Sequence, residues 1–421
     1  MKSTNGEGNM NVFRKICAVS AVLVVIISYG WSGGAPADAA TTSSITIGTV
    51  CSCSGAQAAS FGLASASATA WAKWTNAHGG INGHPVNLIV KDDGGDPSTA
   101  LSDVKTLIKA DHVIAIVGET SLVDATWASY AQQQGVPVVG GHTYESPFLS
   151  NPDFFASGSV IPTVSIGTYE IMNKLGLKHA GLVYCAEAPV CAELSGLAKL
   201  ANGLTGGTIS LNASAVSSTA PSYDANCESL KSADVDALTL TLNSSAQQRL
   251  TDECAQLGYK PQLIGEMSTF ARSFLSDSAY NGSIFVSTNP DYTDTKVAGV
   301  RQFLSALNTY APSVTKSPQF TYITLYPFLG GQLFAAAAKA AGIGPTSTAA
   351  DVKRGLYDLK GETLDGLSSP ITFTPGQPYL GGCVYAMSVK SGVLVPNDGG
   401  APICLTKAQL TAMEQALKQL G

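Results

Sequence analysis

Short apolar runs and longer amphipathic stretches take turns along most of the chain. Residues 45–50 predict a buried strand, followed by a Gly/Ser-rich loop. A helix is expected over 57–78, with Phe61, Trp71 and Trp74 available for packing and Gly79-Gly80 as its stop. Residues 85–91 alternate like a strand, and Asp96 can cap a helix that opens at Pro97. A strand over 113–117 ends in Gly118, a helix over 122–134 stops at Gly135, and a strand over 136–139 follows. Such units hold small ligands at the carboxyl ends of their strands.

A second series has helices at 163–175, 191–200, 223–231 and 247–257, alternating with strands at 180–184, 208–213, 235–242, 262–264 and 283–286. This alternation predicts a parallel sheet with helices on both faces. Two series predict an α/β protein of two doubly wound, Rossmann-like lobes. Helices at 296–310, 320–341 and 348–359 follow, then a short antiparallel addition at 371–373, 382–389 and 393–395, and a closing helix at 406–420. Extra helices must pack on an existing lobe, so the chain is expected to cross between lobes at 156–160, 287–292 and 367–371. Such a multi-crossing hinge allows closure over a ligand. The expected lobe limits are 44–157 with 290–368, and 161–287 with 371–421.

The N-terminus changes the compartment. Arg14 and Lys15 precede an apolar run at 16–28, and Ala37-Asp38-Ala39 gives a small-x-small cleavage pattern. Residues 1–39 therefore read as a secretory signal peptide, too short in its apolar part to span a membrane. An uncleaved anchor is the alternative. Net charge is −6 with 13% charged residues and no basic cluster, which argues against nucleic acid as a partner.

Of nine cysteines, only Cys17 falls in the leader. An even number in an exported chain reads as disulfides. Local pairs are expected at Cys185–Cys191, Cys227–Cys254 and Cys383–Cys404. Cys51 and Cys53 then bridge each other, stay free, or form a soft-metal site with His142.

Motifs for a Ser nucleophile elbow, a His-Glu-x-x-His zinc helix and a phosphate loop are absent, and the five histidines are scattered. No enzyme and no cofactor are expected. A hydrolase using His142 with a nearby acid is the catalytic alternative.

The order Gly79-Gly80-Ile81-Asn82-Gly83, Asp92-Asp93, Asp96-Pro97, Val117-Gly118 and Gly135-Val136-Pro137-Val138 resembles the type I periplasmic-binding family that includes the leucine/isoleucine/valine receptors. The resemblance extends over almost all of the chain after the leader. It implies the type I periplasmic-binding fold and a substrate-binding protein of an ABC importer. Such a protein captures a small polar solute, an amino acid (branched-chain-like) or related amide, and hands it to a membrane permease. It implies a monomer in the periplasm or at the outer face of the cytoplasmic membrane. A sensory module without transport is the alternative within the fold.

The resemblance also implies site residues. In that family the first lobe offers hydroxyls and backbone N–H groups at strand ends to the ligand's carboxylate. Thr120 and Ser121 match one such position, His142-Thr143-Tyr144 the next, and Ser54-Gly55 the first strand-end loop. A helix beginning at Ser121 would favour a negative group there. Glu266 matches the acid offered to the ligand's ammonium, and Asp92-Asp93 matches a pair that holds a strand end. The chain departs from the family at Cys53-Ser54-Gly55-Ala56, where Ser-Gly-Pro is usual, and at 186–191, where small residues and Cys replace a covering aromatic.

Overall fold

The computed structural model describes residues 43–187 and 189–420. The expected leader and Cys17 lie outside the described residues. The first lobe is built on five parallel strands: β1 (Ile45–Cys51), β2 (Val86–Asp92), β3 (Ile116–Glu119), β4 (Val138–Gly141) and β5 (Phe154–Phe155). Their spatial order is β2-β1-β3-β4-β5. The second lobe carries β6 (His179–Cys185), β7 (Ser210–Val216), β8 (Ala237–Thr241), β9 (Gln262–Glu266) and β10 (Ile284–Ser287), in the order β7-β6-β8-β9-β10. In each sheet the strand order reverses beside the first strand, which opens a crevice at the carboxyl ends.

The later strands are β11 (Lys360–Glu362), β12 (Ile371–Thr372), β13 (Cys383–Lys390), β14 (Val393–Pro396) and β15 (Ile403–Cys404). β13 runs antiparallel to β10 and carries β14 as a hairpin partner, so the expected antiparallel addition extends the second sheet. Ile371 departs from that expectation: β12 pairs with β11 instead, and Phe373 packs edge-on against Phe155 of the first lobe. The chain after Phe373 returns beside the segment at 156–160, with Val160 N–H donating to Leu380 O at 3.1 Å.

The helix Leu325–Ala341 returns the chain to the first sheet and is buried along most of its length. It approaches so closely that a Cβ on Gly118 would lie 2.6 Å from Pro327 Cα, and one on Gly330 would lie 2.4 Å from Gly118 Cα. Gly118 also has φ +62°, so glycine is required there twice over. This contact fixes β3, and with it the strand end that carries Glu119.

Asn289 ties three distant segments together. Its side-chain nitrogen donates to Leu367 O at 2.7 Å and to Ser157 O at 3.3 Å, while its oxygen accepts from Thr288 Oγ1 and Tyr322 OH at 2.6 and 3.0 Å. All of this is buried, so the bonds are unscreened by water. Among the described residues the disulfides are Cys51–Cys53, Cys185–Cys191, Cys227–Cys254 and Cys383–Cys404. No helix among the described residues is long and apolar enough to cross a membrane.

Candidate ligand site

The loop after β1 does not run into one long helix. A turn at Gly55–Gln57 leads to a short helix, Ala58–Phe61, and the chain breaks at Gly62 before the helix Ala64–Ala77 begins. The break turns Gln57, Ser60 and Phe61 toward the second lobe. There Ser244, at the start of the helix Ser244–Gln256, meets them. Its N–H donates to Ser60 Oγ at 3.1 Å and its hydroxyl to Ala59 O at 3.3 Å. Asn243, which caps that helix through Ala246 N–H, also donates to Ala56 O at 3.0 Å. The lobes are thus in contact.

Between them lies a cavity of about 60 Å³ at the carboxyl ends of both sheets. Phe61, Leu122, Leu194 and Leu242 supply apolar walls, with the Cys185–Cys191 disulfide beside them. Polar lining comes from Gln57, Ser60, His142, Tyr144, Thr241, Glu266, Ser268 and Thr269. Among the described residues, no Lys or Arg lines it.

His142, Tyr144 and Glu266, all expected at the site, are brought together here. His142 is enclosed by rings, with Phe61 at 5.2 Å, Tyr144 at 5.1 Å and Tyr326 at 5.6 Å between centroids. Burial pushes its pKa down to about 3, so the imidazole is uncharged at neutral pH. The Tyr144 hydroxyl is buried without a hydrogen-bond partner in the protein. Glu266, at the end of β9, has its carboxyl pushed up to about 8 by burial alone. Among the described residues it has no cation paired with it.

The other expected residues are placed elsewhere. Thr143 is buried, with its hydroxyl donating to Ser159 O at 2.9 Å. Ser121 is fully buried, and its hydroxyl accepts from Val123 N–H at 3.3 Å. The helix expected over 122–134 is a turn at Asp124–Thr126 followed by the helix Ala128–Gln133. Ser121 therefore starts no long helix, and the dipole argument for an anion there fails. The local bonds of Ser121 and of Thr126, whose hydroxyl donates to Val123 O at 2.7 Å, hold the non-helical start. Thr120 is buried, and Ser54 and Gly55 are exposed; none of them lines the cavity.

The strand-end N–H groups have internal partners. Asp92 Oδ1 accepts from Cys53, Ser54 and Gly94 N–H at 3.0, 3.2 and 3.0 Å, and Asp93 Oδ1 accepts from Gly95 N–H and Ser52 Oγ, both at 2.7 Å. Both aspartates hold the first strand end. Glu119 does the same at the next two: Oε2 accepts from Ser121 N–H at 2.9 Å and Oε1 from His142 N–H at 3.1 Å. Its fit is close, since a Cβ on Gly141 would lie 2.3 Å from Glu119 Oε1.

Glu119 belongs to a buried acidic cluster with Asp93, Asp124 and Glu145. Burial first, then mutual repulsion, raises Glu119 and Asp124 well above the carboxylate range. Burial raises Glu145 to about 8, with Asp93 adding to it. Among the described residues no group of three or more His, Cys, Asp or Glu could hold a metal ion. The sulfurs of Cys51 and Cys53 are bonded to each other, which leaves no thiolate for the soft-metal alternative.

Sequence reasoning missed Ser60, Leu122, Leu194, Thr241, Ser268 and Thr269. Four of these lie just past or at strand ends, the signal that could have marked them. Ser60 needed the helix break, and Leu194 needed the disulfide that anchors its helix.

Two doubly wound lobes facing each other across a strand-end cleft define a two-lobed binding protein of the type I periplasmic class. The sequence profile described as "Periplasmic binding protein" matches residues 44–394, and the chain belongs to that family. Similar solved structures include a substrate-binding periplasmic protein from Ralstonia solanacearum, 18% identical, covering 84% of this chain and 100% of that one, TM-score 0.73. A branched chain amino acid ABC transporter protein from Thermus thermophilus with bound valine is 14% identical over 87% and 97% of the two chains, TM-score 0.77. A fatty acid ABC transporter substrate-binding protein from Thermomonospora curvata is 16% identical over 87% and 94%, TM-score 0.70. No curated protein matches the sequence. At these identities the likenesses establish the fold.

Proposed function

We propose that this chain is the extracytoplasmic solute-binding protein of an ABC importer, exported to the periplasm or the outer face of the membrane. It captures a small solute by closure of two lobes and delivers it to a membrane permease. The lobes we assign are 44–157 with 290–368, extended through Phe373, and 161–287 with the chain from Cys383. The observation that carries the reading is the meeting of His142 and Tyr144 from one lobe with Glu266 from the other on one cavity. An acid facing an apolar pocket pairs with an amino group, the chemistry shared by branched-chain amino acids and their amides. The family resemblance and the importer proteins among the similar structures support the transport role.

The test is identification of the molecule retained by the purified protein, by mass spectrometry, followed by calorimetry with that molecule. A one-to-one complex, released unchanged, is expected. Chemical turnover of the retained molecule would sink the reading, as would the absence of any bound or binding solute.

A further inference from the structure

The chemistry of the cleft narrows the solute class, and this step rests on the solute-binding reading above. An anionic group entering between the lobes needs a cation or a set of free N–H donors. Among the described residues, no Lys or Arg lines the cavity. The N–H groups of Cys53 and Ser54 are held by Asp92, and those of Ser121 and His142 by Glu119. These are the strand-end donors of β1, β3 and β4, the positions from which a doubly wound sheet presents N–H groups to a ligand. Here carboxylates of the chain itself occupy them.

The other lobe contributes an acid and three hydroxyls, of which Thr241 and Thr269 already donate to the carbonyl oxygens of Val183 and Glu266. Glu266 faces the cavity, and His142, Tyr144 and Tyr326 near it supply no cation: His142 is held neutral by burial. A second carboxylate placed in the cavity would be buried unpaired beside Glu266, which carries a large desolvation penalty. An ammonium gains a charge-assisted hydrogen bond from the same residue. The Tyr144 hydroxyl, buried without a partner in the protein, is a further polar group for the ligand's head. The remaining wall is hydrocarbon, disulfide and the uncharged polar side chains of Gln57, Ser60, Thr241, Ser268 and Thr269.

We propose that the cleft selects a small aliphatic primary amine that carries no carboxylate, because Glu119 and Asp92 already fill the donors a ligand carboxylate would need. Glu266 pairs with the ammonium, and Phe61, Leu122, Leu194 and Leu242 enclose the hydrocarbon. Size agrees with this. A water needs about 10–15 Å³ of such space, so a cavity of about 60 Å³ accepts roughly four to six non-hydrogen atoms.

The test compares three molecules with one hydrocarbon skeleton by calorimetry on the full exported protein at pH 8. They are 3-methylbutylamine, leucine, and 4-methylpentanoate. The amine is expected to bind at least about tenfold tighter than either carboxylate. Glu266→Gln is expected to lose amine binding by a similar factor while still unfolding cooperatively. Glu119→Ala, which frees the Ser121 N–H group while His142 N–H keeps its bond to the main-chain oxygen of residue 119, is expected to narrow the gap between amine and leucine. If that variant does not fold, the three-molecule comparison on the unmodified protein decides alone. Leucine or 4-methylpentanoate binding as tightly as the amine overturns the inference and leaves the receptor reading standing. Failure of the amine while another solute co-purifies does the same. Failure of all three with no co-purifying solute overturns both.

Discussion

Asn289 donates to the carbonyl of Leu367 at 2.7 Å, 78 residues away in sequence, and both groups are buried. The same amide reaches Ser157 O at 3.3 Å, so one side chain braces the chain where it passes between lobes. Asn289→Leu leaves those carbonyls and the Tyr322 hydroxyl short of a partner in the interior. A stability loss of about 2–4 kcal/mol is expected, read as a lower denaturant midpoint. Small-angle scattering should show a wider spread of lobe separations, because the crossings are no longer tied to each other. Unchanged scattering would mean that closure is governed elsewhere.

Glu266 makes ligand affinity depend on pH. Its carboxyl holds a proton up to about pH 8 in the free protein. An ammonium ligand requires the ionised form, so binding must expel that proton. Affinity for an amine should therefore rise about tenfold per pH unit from pH 6 toward 8 and then level off. Calorimetry in buffers of different ionisation enthalpy should register close to one proton released at pH 6.5. Proton uptake instead would reverse the assignment of the charged partner.

The buried acidic cluster sets the pH dependence of stability. Glu119, Asp124 and Glu145 all have raised pKa values in the folded state. The folded chain keeps protons that the unfolded chain releases, so their contribution is favourable below the ordinary carboxylate range. It is lost as pH rises, through about 8 for Glu145. The melting temperature should fall between pH 5 and pH 8. Asp124→Asn, whose amide can donate to the neighbouring carboxylates, should flatten that fall and raise the melting temperature at pH 8. A profile that rises with pH would show the cluster ionised and compensated.

Two disulfides should separate stability from binding. Cys185–Cys191 borders the cavity, whereas Cys383–Cys404 joins β13 to β15 away from it. Replacing either pair with serine should cost about 2–3 kcal/mol through the freed unfolded chain. Only the Cys185/Cys191 double variant should also weaken ligand binding, by about tenfold or more, because it loses a cavity wall and loosens the helix carrying Leu194.

Much of the architecture was legible in the chain. Strands expected at 45–50 and 262–264 are found at Ile45–Cys51 and Gln262–Glu266, and Asp96 accepts from Thr99 N–H at 2.8 Å as a cap. Apolar periodicity and capping residues act over a few positions, so sequence reports them directly. The helix over 122–134 misled because side-chain bonds from Ser121 and Thr126 override its periodic pattern locally. Ile371 misled because its pairing partner, β11, is a short polar strand with no pattern of its own.

By itself the sequence determined the two α/β series, the local cysteine pairs and the strand-end positions of His142, Tyr144 and Glu266. These follow from periodicity and short-range spacing, which every residue carries with it. Only the tertiary structure decided which strand-end donors remain for a ligand. Glu119 reaches His142 N–H across 23 residues, and Asp92 reaches Cys53 N–H across 39. A hydrogen bond satisfied from so far along the chain leaves no trace in local pattern. It exists only once the parallel strands bring their carboxyl ends side by side.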